Sequence, residues 1–385
     1  MQTTVPKSLG ASVLMTLCVA CGGGGSGSTA AITPSVSSAG PVNPAPPVST
    51  TPPVSTTPPV STTPPVSAPA LSVLAGNPAE AGTVDGSGAD VRLNGPTALA
   101  IDSAGNLYAG ANCAIRKITP AGAVSLFAGA YCAPGTLESF PSAFTLASAA
   151  DGRLVMTTYG LGIFEVSQAG AARKVAALEE AAGGGRGAAI AYGDGIAAGA
   201  AGDLVVSNWI GVRRIAPSGS YTMLDGIAST TAGIGSNTFI PARRGLAVDA
   251  AGTVYLATND NTLLRIDTDG KKTVLAGGPG GGTKDGTGAE ARFSHIIALA
   301  VDSKGNLYAA DSSSATWQSQ PPFNELIRKI TPAGVVTTIA GTPGVSELKT
   351  GALPGSLAPL GGIALDGKGN LYATSGNAIV KIVLP

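Results

Sequence analysis

One ten-residue pattern occurs six times in this chain. Residues 99–108 read LAIDSAGNLY, 299–308 read LAVDSKGNLY, 363–372 read IALDGKGNLY and 246–255 read LAVDAAGTVY. Weaker copies lie at 146–155 and 196–205. The turn glycine falls at Gly105, Gly152, Gly202, Gly252, Gly305 and Gly369, giving spacings of 47, 50, 50, 53 and 64 residues. A repeat of this period is one supersecondary unit that cannot bury its apolar face alone, so its copies must stack.

Each copy continues alike. A short apolar and basic stretch follows, such as IRKI at 115–118 and 327–330. The turn TPAG at 119–122 and 331–334 leads to a last segment ending in Ala-Gly, at 124–129 and 336–341. Four short β-prone runs linked by turn residues form one propeller blade. The sixth copy ends at its third run, 379–383, and its missing fourth run stands ahead of the first copy as LSVLAG at 71–76. The expected fold is therefore all-β: a six-bladed β-propeller of four-stranded blades over 70–385, with the N-terminal strand completing the last blade. Closure pairs edges that would otherwise invite aggregation.

The DxxGNLY, IRKI and AG elements resemble NHL repeats. So do DGSGA at 85–89 and DGTGA at 285–289, each beginning 17 residues before its repeat aspartate. The resemblance covers about 71–385. It is weakest in blades 2 and 3, where Ala149 and Gly199 replace the aspartate. It implies a six-bladed propeller and no particular activity, because such folds host many functions.

Residues 1–20 carry one cation, Lys7, and an apolar run from Leu9 to Ala20. This is a secretory-signal pattern, too short for a membrane-spanning helix. The LCVACGG sequence at 17–23 resembles a bacterial lipobox with Cys18 where Leu is usual, which implies lipidation of Cys21 and attachment to the membrane. Gly22 after that cysteine implies the outer membrane, facing the periplasm or the cell surface. Residues 21–69 read as a disordered tether, Gly/Ser-rich and then Pro-rich. PPVSTT recurs at 46–51, 52–57 and 58–63, and PPVSAP follows at 64–69. As polyproline II, these 24 residues reach roughly 75 Å. In an oxidising compartment the remaining pair, Cys113 and Cys132, is expected to form a disulfide at the loop end of blade 1.

Charged residues are 12% of the chain and the formal net charge is zero. That argues against a nucleic-acid-binding surface, which needs many cations. Asp102, Asp249, Asp302 and Asp366 recur at strand ends. They read as turn scaffolding, although a ring of such carboxylates would also suit Ca²⁺. No other cofactor is expected, and whether a metal binds is left open. His295 is the only histidine. Peptide-amidating and streptogramin lyases are similar propellers whose likeness implies His-based sites, and one histidine cannot supply a three-ligand zinc centre. Asn259, Asp260 and Asn261 are loose candidates for a lactonase-like metal site. Lys117, Arg214, Arg265, Lys329 and Lys381, with Glu165 in blade 2, read as a solvated strand face. Blade 5 carries a long insertion, 311–323, between its second and third strands. Trp317 and Phe323 lie in it, and Trp209 and Asn112 lie in equivalent loops. Exposed aromatics on scaffolded loops favour recognition. The expected function is a monomeric, lipid-anchored binding module with a protein, peptide or glycan ligand. The alternative is a metal-assisted lyase or lactonase with a carboxylate-lined channel.

Overall fold

The structure is a computed structural model that describes residues 68–111, 113–130, 143–158, 162–175, 193–208, 211–226, 245–258, 260–313 and 323–385. The described strands form six antiparallel sheets, one per blade. Blade 1 runs inner to outer as Ala98–Ile101, Leu107–Ala111, Ala114–Ile118 and Ala123–Gly129. The inner strands of blades 2 to 6 begin at Ala143, Gly193, Leu246, Ile296 and Leu360. Each inner strand touches the next, and that of blade 6 touches that of blade 1, so the ring is closed.

The closing strand is Ala70–Gly76. It pairs antiparallel with Ala378–Val383 of blade 6, from Ala70 opposite Val383 to Gly76 opposite Ala378, with a bulge between Val73 and Ala75. The core is distributed as six apolar clusters, one between each pair of neighbouring blades. Ala75, Tyr372 and Ile379 of blade 6, for instance, meet Leu99, Leu107, Ile118 and Val124 of blade 1. Each fully buried Leu or Ile contributes about 1.5–3 kcal/mol by leaving water.

Two sequence signals have a direct physical reason in these contacts. The TPAG glycines turn the chain with positive φ and touch the preceding blade. A Cβ on Gly122 would stand 2.5 Å from the Leu74 carbonyl oxygen, and one on Gly334 would stand 2.4 Å from that of Leu275. Only glycine fits so close an approach. The DGSGA and DGTGA segments supply a fifth strand that the four-strand expectation did not include. Gly86–Ser87 pairs with the outer strand of blade 1, and Gly286–Thr287 with that of blade 5. Gly351–Ala352 does the same for blade 6. These short pairings cover outer edges that would otherwise present open hydrogen-bonding groups.

Candidate functional site

Antiparallel blades have two ends. Tight turns join the inner strand to the second and the third to the outer at one end, the turn face. The second-to-third connections and the blade-to-blade connections emerge at the other, the loop face.

At the turn face the repeated aspartates serve the fold. Asp302 accepts from the Lys304 and Asn306 backbone N–H groups at 2.9 Å each, from Asn306 Nδ2 at 2.9 Å and from the Tyr308 hydroxyl at 3.3 Å. Asp102 and Asp366 repeat the set with Asn106 and Tyr108 and with Asn370 and Tyr372. Asp249 uses Thr253 and Tyr255. Burial raises the Asp102, Asp302 and Asp366 carboxyls, but the asparagine and turn bonds outweigh it and hold them below the usual carboxylate range. The tyrosines move the other way. Burial and then the adjacent aspartate charge push Tyr108 and Tyr308 up to about 12. With their oxygens engaged by these donors, the aspartates do not form a cage for a calcium ion.

Blades 2 and 3 lose both halves of this latch together, having Ala149 with Val155 and Gly199 with Val205. Ion pairs replace it. Arg153 pairs with Glu165 in blade 2. In blade 3, Asp203 folds into the space a side chain at Gly199 would take and lies 3.4 Å from Arg214 Nε. The row of third-strand cations is thus divided among local partners. Arg265 pairs with Asp267 at 2.7 Å, and Lys117 lies over the Tyr108 ring at 5.8 Å. The turn-face mouth of the channel is a cavity of about 470 Å³ beside Ser103, Ser148, Asp151 and Gln168. Deeper in, a constriction of about 60 Å³ is lined mainly by Leu, Ile and Ala, with Thr97 and Thr145. Among the described residues, no three His, Cys, Asp or Glu side chains gather as a metal site.

At the loop face, several expected residues fall outside the described ones: Asn112, Trp209, Asn259 and Trp317, with Cys21 and Cys132. Cys113 is buried, disulfide-bonded and in a left-handed turn at φ 60°. Asn261 also turns at positive φ, and the Asp260 carboxylate accepts from the Thr258 hydroxyl, so both belong to the blade 4 turn. Phe323 is half-buried where the chain returns from the blade 5 insertion. His295 lies directly before the blade 5 inner strand, as expected.

The group that sequence reading missed is at the root of that insertion. Asp311 and Ser312 end the second strand, Leu307–Ser312, instead of opening the loop. Glu325 begins the third strand, Glu325–Ile330. Asp311, Ser312, Glu325 and Arg328 are all 0% exposed. Asp311 accepts from the His295 backbone N–H at 2.7 Å and from Arg328 Nη1 at 2.9 Å. Arg328 Nη2 donates to Asp285 at 2.8 Å, and its guanidinium lies 5.3 Å from the Phe293 ring centre. Glu325 accepts from the Ser312 hydroxyl at 3.1 Å and from the Leu360 N–H of blade 6 at 2.9 Å. The next step outward is pinned too. The Asn324 N–H donates to Ser313 Oγ at 2.7 Å, and Asn324 Oδ1 accepts from the Gly344 N–H at 2.8 Å. Burial pushes the Asp311 carboxyl up to about 7, with the Glu325 charge acting in the same direction and Arg328 opposing. Aligning the repeats carries the missing signal, since Asp311 and Glu325 stand where blade 1 has Ala111 and Cys113.

No protein-family model matches the sequence, and no curated protein matches it. Solved structures do. An auxiliary nutrient binding protein from Bacteroides thetaiotaomicron superposes with a TM-score of 0.61 at 16% identity, covering 82% of this chain and 76% of that one. One of the same description from Bacteroides ovatus gives 0.58 at 15% identity, with coverage of 82% and 76%. A gluconolactonase from Xanthomonas campestris gives 0.51 at 14%, covering 76% and 87%. At these identities the likeness speaks for architecture alone, and with the closed ring of six sheets it makes this chain a six-bladed β-propeller.

Proposed function

We propose that this chain is a lipid-anchored propeller of the NHL type in the cell envelope, and that it binds a protein, peptide or glycan on the loop face of blades 5 and 6. Cys21 carries the lipid, and the Pro-rich tether holds the domain off the membrane. The carrying observation is the root of the blade 5 insertion. Burying charges is costly, and well-packed apolar residues commonly serve a fold as well or better. Blade 1 closes the same four strands with Ala111 and Cys113. The polar root is therefore not a requirement of the blade. What it does is fix the two ends of the insertion, at Ser313 and Asn324, against the blade 6 connection at Gly344 and Leu360. A loop held at its root loses less freedom on binding, which favours recognition. The description of two structural neighbours as nutrient binding proteins agrees with a binding role.

The test uses the full chain on glycan and peptide arrays, followed by titration of any hit. Saturable binding that falls at least tenfold in Trp317→Ala or Phe323→Ala supports the reading. A hit unaffected by both substitutions, or no saturable hit at all, overturns it. For the anchor, Cys21→Ser should move the protein from the membrane fraction to the soluble one.

A further inference from the structure

Blade 5 contains more buried carboxylate than its cation can match. Arg328 is shared by two acids. Asp311 is fully enclosed, whereas the Asp285 side chain is 48% exposed and can be balanced by water. Glu325, also fully enclosed, makes its observed bonds to a hydroxyl and a backbone N–H, neither of which carries charge. Counting Asp311, Glu325 and Arg328 alone, two buried negative charges face one positive. A low-dielectric site resists such an excess, and the simplest relief is a proton.

We propose that the root of the blade 5 insertion is a proton-responsive device, in which the Asp311–Glu325 pair takes up one proton as the medium acidifies and so stabilises the folded chain. The inference goes beyond the binding role and does not depend on it. The charged or titratable residues around Asp311 are Glu325 and Arg328 on the third strand, His295 before the inner strand, and Lys284, Asp285 and Arg292 on the incoming connection. Lys284 and Arg292 contribute backbone carbonyls to Arg328 at 3.2 and 3.1 Å. Asp311 lies well above its unfolded value of 3.8, at about 7, because burial and the Glu325 charge outweigh Arg328. A folded value above the unfolded one means the folded chain binds the proton more tightly. The stabilisation is then complete at low pH and lost as pH rises through the folded value. The two acids titrate as a coupled pair, so the proton belongs to both.

Denaturant unfolding of the full chain at intervals between pH 5 and 8 tests this. For one proton, the folding equilibrium constant should rise up to tenfold for each unit of acidification below about 7. Asp311→Asn should flatten that dependence, and His295→Asn, which removes the neighbouring group that ordinarily titrates near neutrality, should leave it. A flat wild-type profile overturns the proposal, as does a slope that survives Asp311→Asn or disappears in His295→Asn. Should Asp311→Asn fail to fold, carboxyl-carbon NMR of the wild-type chain decides. A carboxyl titration at the pair midway between pH 6 and 8 is expected, and titration of both Asp311 and Glu325 wholly below pH 5 overturns the idea.

Discussion

Blades 1 and 5 are the same object built twice, and they diverge at one end. Both have the DG-G-A edge strand, the aspartate–tyrosine latch and a fully buried arginine on the third strand, Arg116 or Arg328. The two arginines even share backbone partners, since Arg116 donates to the Arg92 and Val84 carbonyls as Arg328 does to those of Arg292 and Lys284. Each also reaches the acid that opens its edge strand, Asp85 or Asp285. At the loop end they part. Blade 1 has a short turn and a disulfide at Cys113, and blade 5 has a long insertion with Asp311 and Glu325 beneath it. Covalent and electrostatic fastening thus occupy the same position in one fold. The first constrains the chain whatever the pH, and the second responds to it.

Removing the arginines should separate the blades most strongly. Arg328→Ala leaves Asp311 buried without its cation and is expected to cost about 3–5 kcal/mol in chemical denaturation. Arg116→Ala should cost distinctly less, because the Asp85 side chain is 52% exposed and water can take over its charge. Equal losses would mean that Asp311 does not depend on Arg328. Reduction comes next. A thiol reductant should lower stability by about 2–4 kcal/mol through blade 1, and Cys113→Ser should abolish that sensitivity. Below these lies the latch the two blades share. Tyr108→Phe and Tyr308→Phe should each cost about 0.5–1.5 kcal/mol, the usual worth of one hydrogen bond, and by similar amounts. The smallest effect is expected from Asp311→Ala at pH 8. It leaves Arg328 with the partners Arg116 has, so stability should stay within about 1 kcal/mol of wild type. A larger loss would show that blade 5 needs its acid to fold.

The propeller was legible because its signals are local and repeated. The aspartate, glycine and tyrosine of each copy form one turn, and the fourth strand missing from one end appears at the other. The edge strands were present as a motif without a visible role, since two residues carry too little pattern to be read as a strand. The root of blade 5 was hidden differently. Asp311 precedes a run of serines and looks like loop, and only its pairing opposite Leu326 places it at the end of a strand. Glu325 looks like an ordinary strand-end acid until Leu360, 35 residues on, is found bonded to it. Burial of that kind comes from a neighbouring blade, which no single repeat encodes. Blades 2 and 3 show the reverse case. Their lost aspartates looked like decay, yet Asp203 occupies the space left free at Gly199.

The closing strand has a mechanical consequence. The chain enters the domain at Ala70, opposite Val383 and therefore at the turn end of blade 6. A pull on the preceding segment, directed away from the turn face, is applied along the strand that shuts the ring. Such a load shears the bonds between Ala70–Gly76 and Ala378–Val383 together, and does not peel them one after another. The same strand buries Leu71 against one side of its blade and Ala75 against blade 1 on the other. A domain hung by this end carries its own weight on its seam, with the loop face turned outward and free of the load.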